Sequence, residues 1–383
     1  MMRPMKLAGD QLLFGAGTLA YLKNLRGRRA VIVTGGGSMQ KSGILDAVTG
    51  YLREAGFKDV GHISGVESDP SFATVRRGAL EMAQISPEWI VALGGGSVMD
   101  AAKAMWVFYE RPDLTGLADL LPPNRFPVLR QKARCVCIPS TAGTASEVSR
   151  SIVITDDYGF KVGIGNFEMM PDLAICDPAV TLTMPPNITA ETGMDALTHA
   201  AEALVSVRAN YVSDALARRA ARDIFEFLPK AYNDGRSMFY REKMLNASMA
   251  AGLAFTNVSL GIVHSMAHAL GGMFGLSHGL LDAVILPYVA EFNSADECAY
   301  EAYRSLAESL GEADFAAAVR KLNKSVGIPE RLSDVIPNEA AYLAEIDKAA
   351  ALALKDGCTK TSPVIPDAGE LVRLLKTIYY GNM

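Results

Sequence analysis

Two rhythms of apolar and polar positions divide this chain. In the first half, short β-branched runs alternate with helical stretches. Residues 30–34 (AVIVT) read as a strand closed by Gly35-Gly36-Gly37, and a helical pattern follows from about Ser42 to Ala55. Residues 89–93 (WIVAL) read as a second strand, closed by Gly94-Gly95-Gly96, with a helix from about Ser97. RCVCI at 134–138 and LAIC at 173–176 give two more strands, and a short one carries His62. Strand, glycine turn and helix in repetition predict a parallel, Rossmann-like sheet with helices packed on it, whose ligands bind at the carboxyl ends of the strands. After Asp177-Pro178 the rhythm changes. Met184-Pro185-Pro186 breaks the chain, Thr189 is expected to cap the next helix, and long Ala/Leu/Met-rich stretches at helical spacing follow to the end. The expected organisation is an α/β domain over residues 1–182 and an all-helical domain over 183–383, without repeat or low-complexity linker, and with a site in the groove where they meet.

Composition narrows the function classes. The chain has 383 residues, half of them apolar, enough to bury substantial cores. Charged residues make up 21%, the formal net charge is −5, and no Lys/Arg run is clustered, so nucleic acid is not the expected partner. No apolar run reaches the roughly 18–20 residues a membrane helix needs, and the opening MMRPMKLAGDQLLFGAG lacks the pattern of a signal peptide. Five scattered cysteines (Cys135, Cys137, Cys176, Cys298, Cys358) make no disulfide framework, which fits a reducing cytoplasm. Cys135 and Cys137, two apart on a strand, are expected to be buried together on one face.

The histidines carry the strongest chemical signal. There are five, and His199, His264, His268 and His278 fall in the helical half. Asp195 and His199 are four apart on a predicted helix and share a face, as do His264 and His268; His278 stands at an expected helix start, after Gly271-Gly272 ends or bends the preceding helix. A carboxylate with imidazoles suits a borderline divalent cation such as Fe²⁺ or Zn²⁺. Burying these groups close together without a shared ion would be costly. Spacing alone does not say which histidine is left out.

The glycine turns add a second chemistry. Gly94-Gly95-Gly96-Ser97, between a strand and a helix, lets a backbone approach phosphate at a helix N-terminus, and Asp100 and Lys103 follow on that helix. A second polar loop, Pro139 to Thr144, follows the next strand. Two such loops at successive strand ends would suit a dinucleotide lying across the sheet.

Taken together, FGAG at 14–17, GGGSVMDAAK at 94–103, PSTAGTASE at 139–147, DPAVTLTMPPNITAETGMDALTHAAEA at 177–203, and GLAFTNVSLGIVHSMAHALGG with SHG at 252–279 resemble the iron-dependent (group III) alcohol dehydrogenase family. The resemblance implies an N-terminal nucleotide-binding domain, an all-α C-terminal domain and the architecture shared with dehydroquinate synthase. It implies metal ligands at Asp195, His199, His264 and His278, with His268 the nearby extra histidine and our candidate for relaying the substrate's hydroxyl proton. It places the cofactor diphosphate at Gly95, Gly96 and Ser97, hydroxyl contacts at Thr141 and Thr144, a ribose contact at Lys161 and an apolar contact at Leu182. Phe255 and Cys358 are candidate substrate-pocket walls. The implied reaction is hydride transfer between a nicotinamide nucleotide and a small primary alcohol or aldehyde, in a homodimer, with Fe²⁺ or alternatively Zn²⁺. Where many NAD-preferring relatives carry an acidic residue this chain has Gly35, followed by Gly36, Gly37 and Ser38 with Lys41 nearby; NADP(H) is expected ahead of NAD(H).

The chain also departs from the family pattern. Ala145 and Ser259 stand where glycine is usual, Val258 stands where a smaller residue is usual, and the Asn-Pro-Arg that commonly follows the Cys358 motif is missing. Asp282 stands where asparagine is common; four residues past His278, it is expected on a solvated face, with a supporting charge behind the His278 ligand as the alternative. The rival readings are a dehydroquinate-synthase-like lyase, a glycerol-dehydrogenase-like polyol oxidoreductase, and a non-catalytic nucleotide- or metal-binding sensor.

Overall fold

The computed structural model describes residues 5–381; residues 1–4, on which the reading of the N-terminus partly rests, lie outside the described residues. The chain divides into two compact units, one of residues 1–184 with 236–249, the other of residues 185–235 with 250–383.

The first unit is built on strands β1 (Gln11–Phe14), β2 (Arg29–Val33), β3 (Asp59–Ile63), β4 (Trp89–Gly94), β5 (Arg134–Pro139), β6 (Ser151–Thr155), β7 (Lys161–Gly165) and β8 (Leu173–Cys176). Six of them form a parallel sheet in the order β1-β8-β5-β4-β2-β3, while β6 and β7 pair as an antiparallel hairpin. Side chains alternate between the faces of the sheet. Ala30, Ile32, Val91, Leu93, Val136 and Ile138 enter one apolar core, and Val31, Val33, Ile90, Ala92, Cys135 and Cys137 enter the other. Burial on both faces is why these strands are continuously apolar instead of alternating. The Cys135 and Cys137 thiols lie 4.0 Å apart on one face, as their spacing predicts. Helices α1 (Ser38–Lys41), α2 (Ile44–Glu54), α3 (Phe72–Ile85) and α4 (Gly96–Glu110) follow β2, β3 and β4. The helix expected from about Ser42 to Ala55 is α2, entered through Gly43, whose φ of 77° suits glycine; the short α1 precedes it.

The second unit is helical: α5 (Pro186–Val205), α6 (Tyr211–Asn233), the end of α7 (Met238–Val258), α8 (Ile262–Phe274), α9 (His278–Asn293), α10 (Glu297–Ser309), α11 (Phe315–Ser325), α12 (Glu339–Lys355) and α13 (Ala368–Tyr380). Two expectations are corrected here. Thr189 does not cap α5: the cap is Pro185, with Pro186 in the first turn, and the Thr189 hydroxyl donates back to the Pro185 carbonyl oxygen. Proline's fixed φ opens a helix, and its missing N–H is no loss there. Nor do Gly271-Gly272 end α8, which runs on to Phe274 and stops at the left-handed Gly275 (φ 65°). Phe274 lies against the Tyr342 ring, and that packing carries the helix through two poor helix formers. No single helix among the described residues is long and apolar enough to cross a membrane.

Candidate functional site

Three helices of the second unit bring the expected cation-binding side chains together. On α5, Asp195 and His199 are one turn apart, both buried, with His199 Nε2 3.6 Å from Asp195 Oδ1. On α8, His264 Nε2 lies 3.9 Å from the same oxygen. His278 is the first residue of α9. The His264 ring centroid is 4.7 Å from that of His199 and 5.2 Å from that of His278. Gly279 explains how α9 begins so near α5, since a Cβ there would stand 2.4 Å from the Glu191 carbonyl oxygen.

Asp282 corrects a sequence expectation. It is not on a solvated face but fully buried, with Oδ2 3.2 Å from His278 Nε2 and 3.7 Å from His264 Nε2. The reason is that α9 is buried almost all round from Leu281 to Ala290, which leaves no wet face one turn past His278. One atom each of Asp195, His264, His278 and Asp282 falls within 4.8 Å of the others, and His199 joins this group through Asp195 Oδ1.

Electrostatics set the fit to a cation. Burial pushes the Asp195 carboxyl up, partly offset by His199, and pushes the His264 imidazole well down. Each shift opposes the group's own charged form, and a bound cation reverses that balance for the carboxylate. Asp195 Oδ1 and His264 Nε2 are buried and have no hydrogen-bond partner among the described residues. Orphaned acceptors of this kind, among imidazoles and carboxylates, fit a borderline divalent ion.

Two groups that the sequence analysis did not single out hold these side chains. Glu202, buried on α5, accepts from the Val263 N–H at 2.7 Å and stands 2.6 Å from His264 Nδ1, so the other ring nitrogen faces Asp195 and Asp282. Burial raises its carboxyl to about 7 against the pull of three backbone N–H groups. Glu202 is seven residues past Asp195, so helical spacing could have found it. Asp356 lies 2.8 Å from His268 Nδ1 and accepts from the Cys358 N–H at 2.7 Å. Burial works to raise the Asp356 carboxyl, but the contacts with His268 and Cys358 together outweigh it and hold the group low. Nothing in the spacing links Asp356 to a histidine 88 positions away. The His268 ring stacks on His278 at 5.1 Å. Phe255 stacks on His199 at 4.3 Å, and Cys358 is half-buried beside Asp356.

The nucleotide-type loops belong to the first unit. Gly94 and Pro139 are register partners at the ends of β4 and β5, so the loops after them leave the sheet side by side. Helix α4 begins at Gly96, and among the described residues no side chain caps its start. A Cβ on Gly96 would stand 2.5 Å from Thr144 Cγ2, and one on Gly95 would stand 3.4 Å from Thr141 Cγ2. Bare glycines at an uncapped helix start, walled by two threonines, form a cradle that suits phosphate. Ser97 Oγ accepts from the Asp69 N–H at 3.3 Å, and Lys161 Nζ pairs with Asp69 Oδ1 at 2.8 Å. Gly35 follows β2, and a Cβ there would meet Val98 of α4 at 3.3 Å; Gly36, Gly37 and Ser38 continue into α1. Leu182 is half-buried just after Pro178–Thr181. His62, on β3, bonds to the Thr34 hydroxyl at 2.8 Å.

Asp100 and Lys103 are turned inward instead of toward a ligand. Asp100 accepts from the Ser146 hydroxyl at 2.6 Å and from the Val153 N–H at 2.9 Å. Lys103, fully buried, donates to the Ser146 and Ser149 carbonyl oxygens. Both anchor the segment after β5, and their position on the first turns of α4 is what made them look available.

Comparison with known proteins agrees with this geometry. The family described as "Iron-containing alcohol dehydrogenase" matches residues 10–178, and "Fe-containing alcohol dehydrogenase family, C-terminal" matches residues 189–379. The chain is 43% identical to an NADPH-dependent butanol dehydrogenase of Clostridium saccharobutylicum, over 97% of each. It is 36% identical to a 1-propanol dehydrogenase of Citrobacter freundii, over 96% of this chain and 98% of that one. Among solved structures it is similar to an iron-containing alcohol dehydrogenase from Thermococcus thioreducens, with a TM-score of 0.93 and 32% identity, over 99% of this chain and 100% of that one.

Proposed function

Because the chain belongs to the iron-containing alcohol dehydrogenase family, and is thereby a metal-dependent, NAD(P)-linked oxidoreductase acting on alcohols, we propose that it transfers hydride between NADP(H) and a small primary alcohol or aldehyde, around one Fe²⁺ held by Asp195, His199, His264 and His278. The observation that carries this reading is the meeting of a buried carboxylate and three imidazoles from α5, α8 and α9, with Asp195 Oδ1 and His264 Nε2 turned inward without a hydrogen-bond partner among the described residues. Zn²⁺ is the alternative occupant of the same donors. When bound, the cation supplies Lewis acidity to the substrate oxygen, and the nicotinamide supplies the hydride acceptor or donor.

The protein's own groups do the rest. Glu202 fixes the His264 ring so that Nε2 keeps its lone pair for the cation. His268, held at Nδ1 by Asp356, carries the hydroxyl proton at Nε2, and its stacking on His278 keeps it beside the ligands. Gly95, Gly96 and Ser97 at the start of α4 receive the diphosphate, Thr141 and Thr144 line the same cradle, Lys161 takes the nicotinamide ribose, and Leu182 covers an apolar part of the cofactor. Gly35 to Ser38 with Lys41 leave room and positive charge for a 2′-phosphate, and the NADPH-dependent relative supports that preference. Phe255 and Cys358 wall the substrate side. A homodimer in a reducing cytoplasm completes the reading.

The test is metal analysis of freshly purified protein together with a panel of primary aldehydes assayed with NADPH and with NADH. Iron near one per chain and a higher kcat/KM with NADPH are expected. A strong NADH preference would defeat the cofactor assignment. Tight nucleotide binding with no turnover on any aldehyde would favour a sensor.

A further inference from the structure

We propose that Asp282 is a second anionic donor to the cation, so that this chain offers three imidazoles and two carboxylates. The inference rests on the metal site proposed above and concerns a residue outside its ligand set. Asp282 is fully buried, and one of its oxygens lies 3.2 Å from His278 Nε2 and 3.7 Å from His264 Nε2. Since His264 Nδ1 is taken by Glu202, Nε2 is the nitrogen turned to the cation, and Asp282 faces that same nitrogen. An oxygen of Asp282 also lies within 4.8 Å of one of Asp195. A carboxylate placed against two ligating nitrogens and a ligating carboxylate stands in the coordination space itself, not behind it. His278 and Asp282 are four apart at the start of α9, a fixed spacing on one helix face, so the second carboxylate is as well placed as the Asp195–His199 pair on α5.

The consequence is one of charge and donor number. A divalent cation with one carboxylate leaves a centre of net charge +1 in an apolar setting; with two, the centre is neutral. Two carboxylates buried side by side repel each other unless a proton or a cation lies between them, and a divalent cation offsets both charges where a proton offsets one, so the pair holds such an ion more firmly than Asp195 alone. Five protein donors also exceed the four of a tetrahedral zinc site and suit ions that take more oxygen and nitrogen ligands, such as Fe²⁺, Mn²⁺ and Co²⁺.

The experiment uses full-length protein stripped with a chelator and titrated with Mn²⁺, Co²⁺ or Zn²⁺ alone. Free Mn²⁺ is read by electron paramagnetic resonance and bound Co²⁺ by visible absorption, neither of which depends on turnover. Asp282→Asn keeps the side-chain volume. It is expected to raise the Kd for Mn²⁺ by about 10–100-fold, to change the Zn²⁺ Kd less, and to intensify and shift the Co²⁺ bands as a ligand is lost. An unchanged Mn²⁺ Kd and Co²⁺ spectrum in folded Asp282→Asn would overturn the assignment. If that variant does not fold, Asp282→Glu serves: a shifted Co²⁺ spectrum supports the assignment and an identical one overturns it. Wild-type protein that takes up none of the three ions would instead remove the metal reading itself.

Discussion

Single residues record where this chain left its family's habits, and the backbone states the cost. Ala145 and Ser259 replace glycines common in the family, and both sit in the left-handed region, at φ of 50° and 68°. An L residue there costs roughly 1–2 kcal/mol, part of which is returned because glycine has more freedom in the unfolded chain. Ala145→Gly and Ser259→Gly are each expected to stabilise the protein by up to ~1 kcal/mol, read as a higher urea midpoint at unchanged slope. A lower midpoint would mean that the methyl or hydroxyl makes contacts worth more than the strain. The resemblance marked both positions as departures, but only the dihedral angle gives the departure a physical meaning. Asp282 is the opposite case. Its helical offset from His278 was legible, whereas its burial depends on what packs round α9, which no local spacing encodes.

Elements were legible in proportion to how deeply they are buried. The runs at 30–34, 89–93, 134–138 and 173–176 correspond to β2, β4, β5 and β8, whose side chains are shielded on both faces and so read as unbroken apolar stretches. By contrast β1 and the β6–β7 hairpin escaped notice. Residues Gln11–Phe14 form a four-residue edge strand with exposed ends, and the hairpin buries one face only, through Ile152, Ile154 and Ile164, so neither reads as an unbroken apolar run. Of the site helices, α5 showed its Asp195–His199 face clearly, but the closeness of α9 rests on the missing side chain of Gly279. Gly279→Ala is expected to push the start of α9 off the Glu191 carbonyl, at about 1–3 kcal/mol of stability, and to weaken Co²⁺ uptake by displacing His278. A variant with wild-type stability and Co²⁺ binding would show that α9 can shift without moving the site.

At the scale of the whole molecule, the buried acid Glu147 sets part of the pH response. Burial lifts its carboxyl from 4.5 to about 7, against its own backbone, the Lys103 charge and the Cys176 thiol, and its Oε2 has no hydrogen-bond partner among the described residues. The folded state therefore holds a proton that the unfolded chain has released, and the stability this contributes, complete below pH 4.5, is lost as pH rises to about 7. Glu147→Gln should gain stability relative to wild type between pH 5 and pH 8, by about 1–3 kcal/mol. Equal differences from wild type at the two pH values in urea unfolding would refute it.

Asp195, His199 and Glu202 all ride on the twenty-residue helix α5, and this has a consequence for assembly. Their mutual spacing is set by helix geometry before any ion arrives, so the receptor is preorganised and little binding energy is spent on ordering it. Chelation should therefore leave the circular dichroism spectrum unchanged while lowering the melting temperature. The loss should follow mass action, about 2.7 kcal/mol for an ion present at a hundred times its Kd; collapse of helicity on chelation would mean that the ion builds its own site.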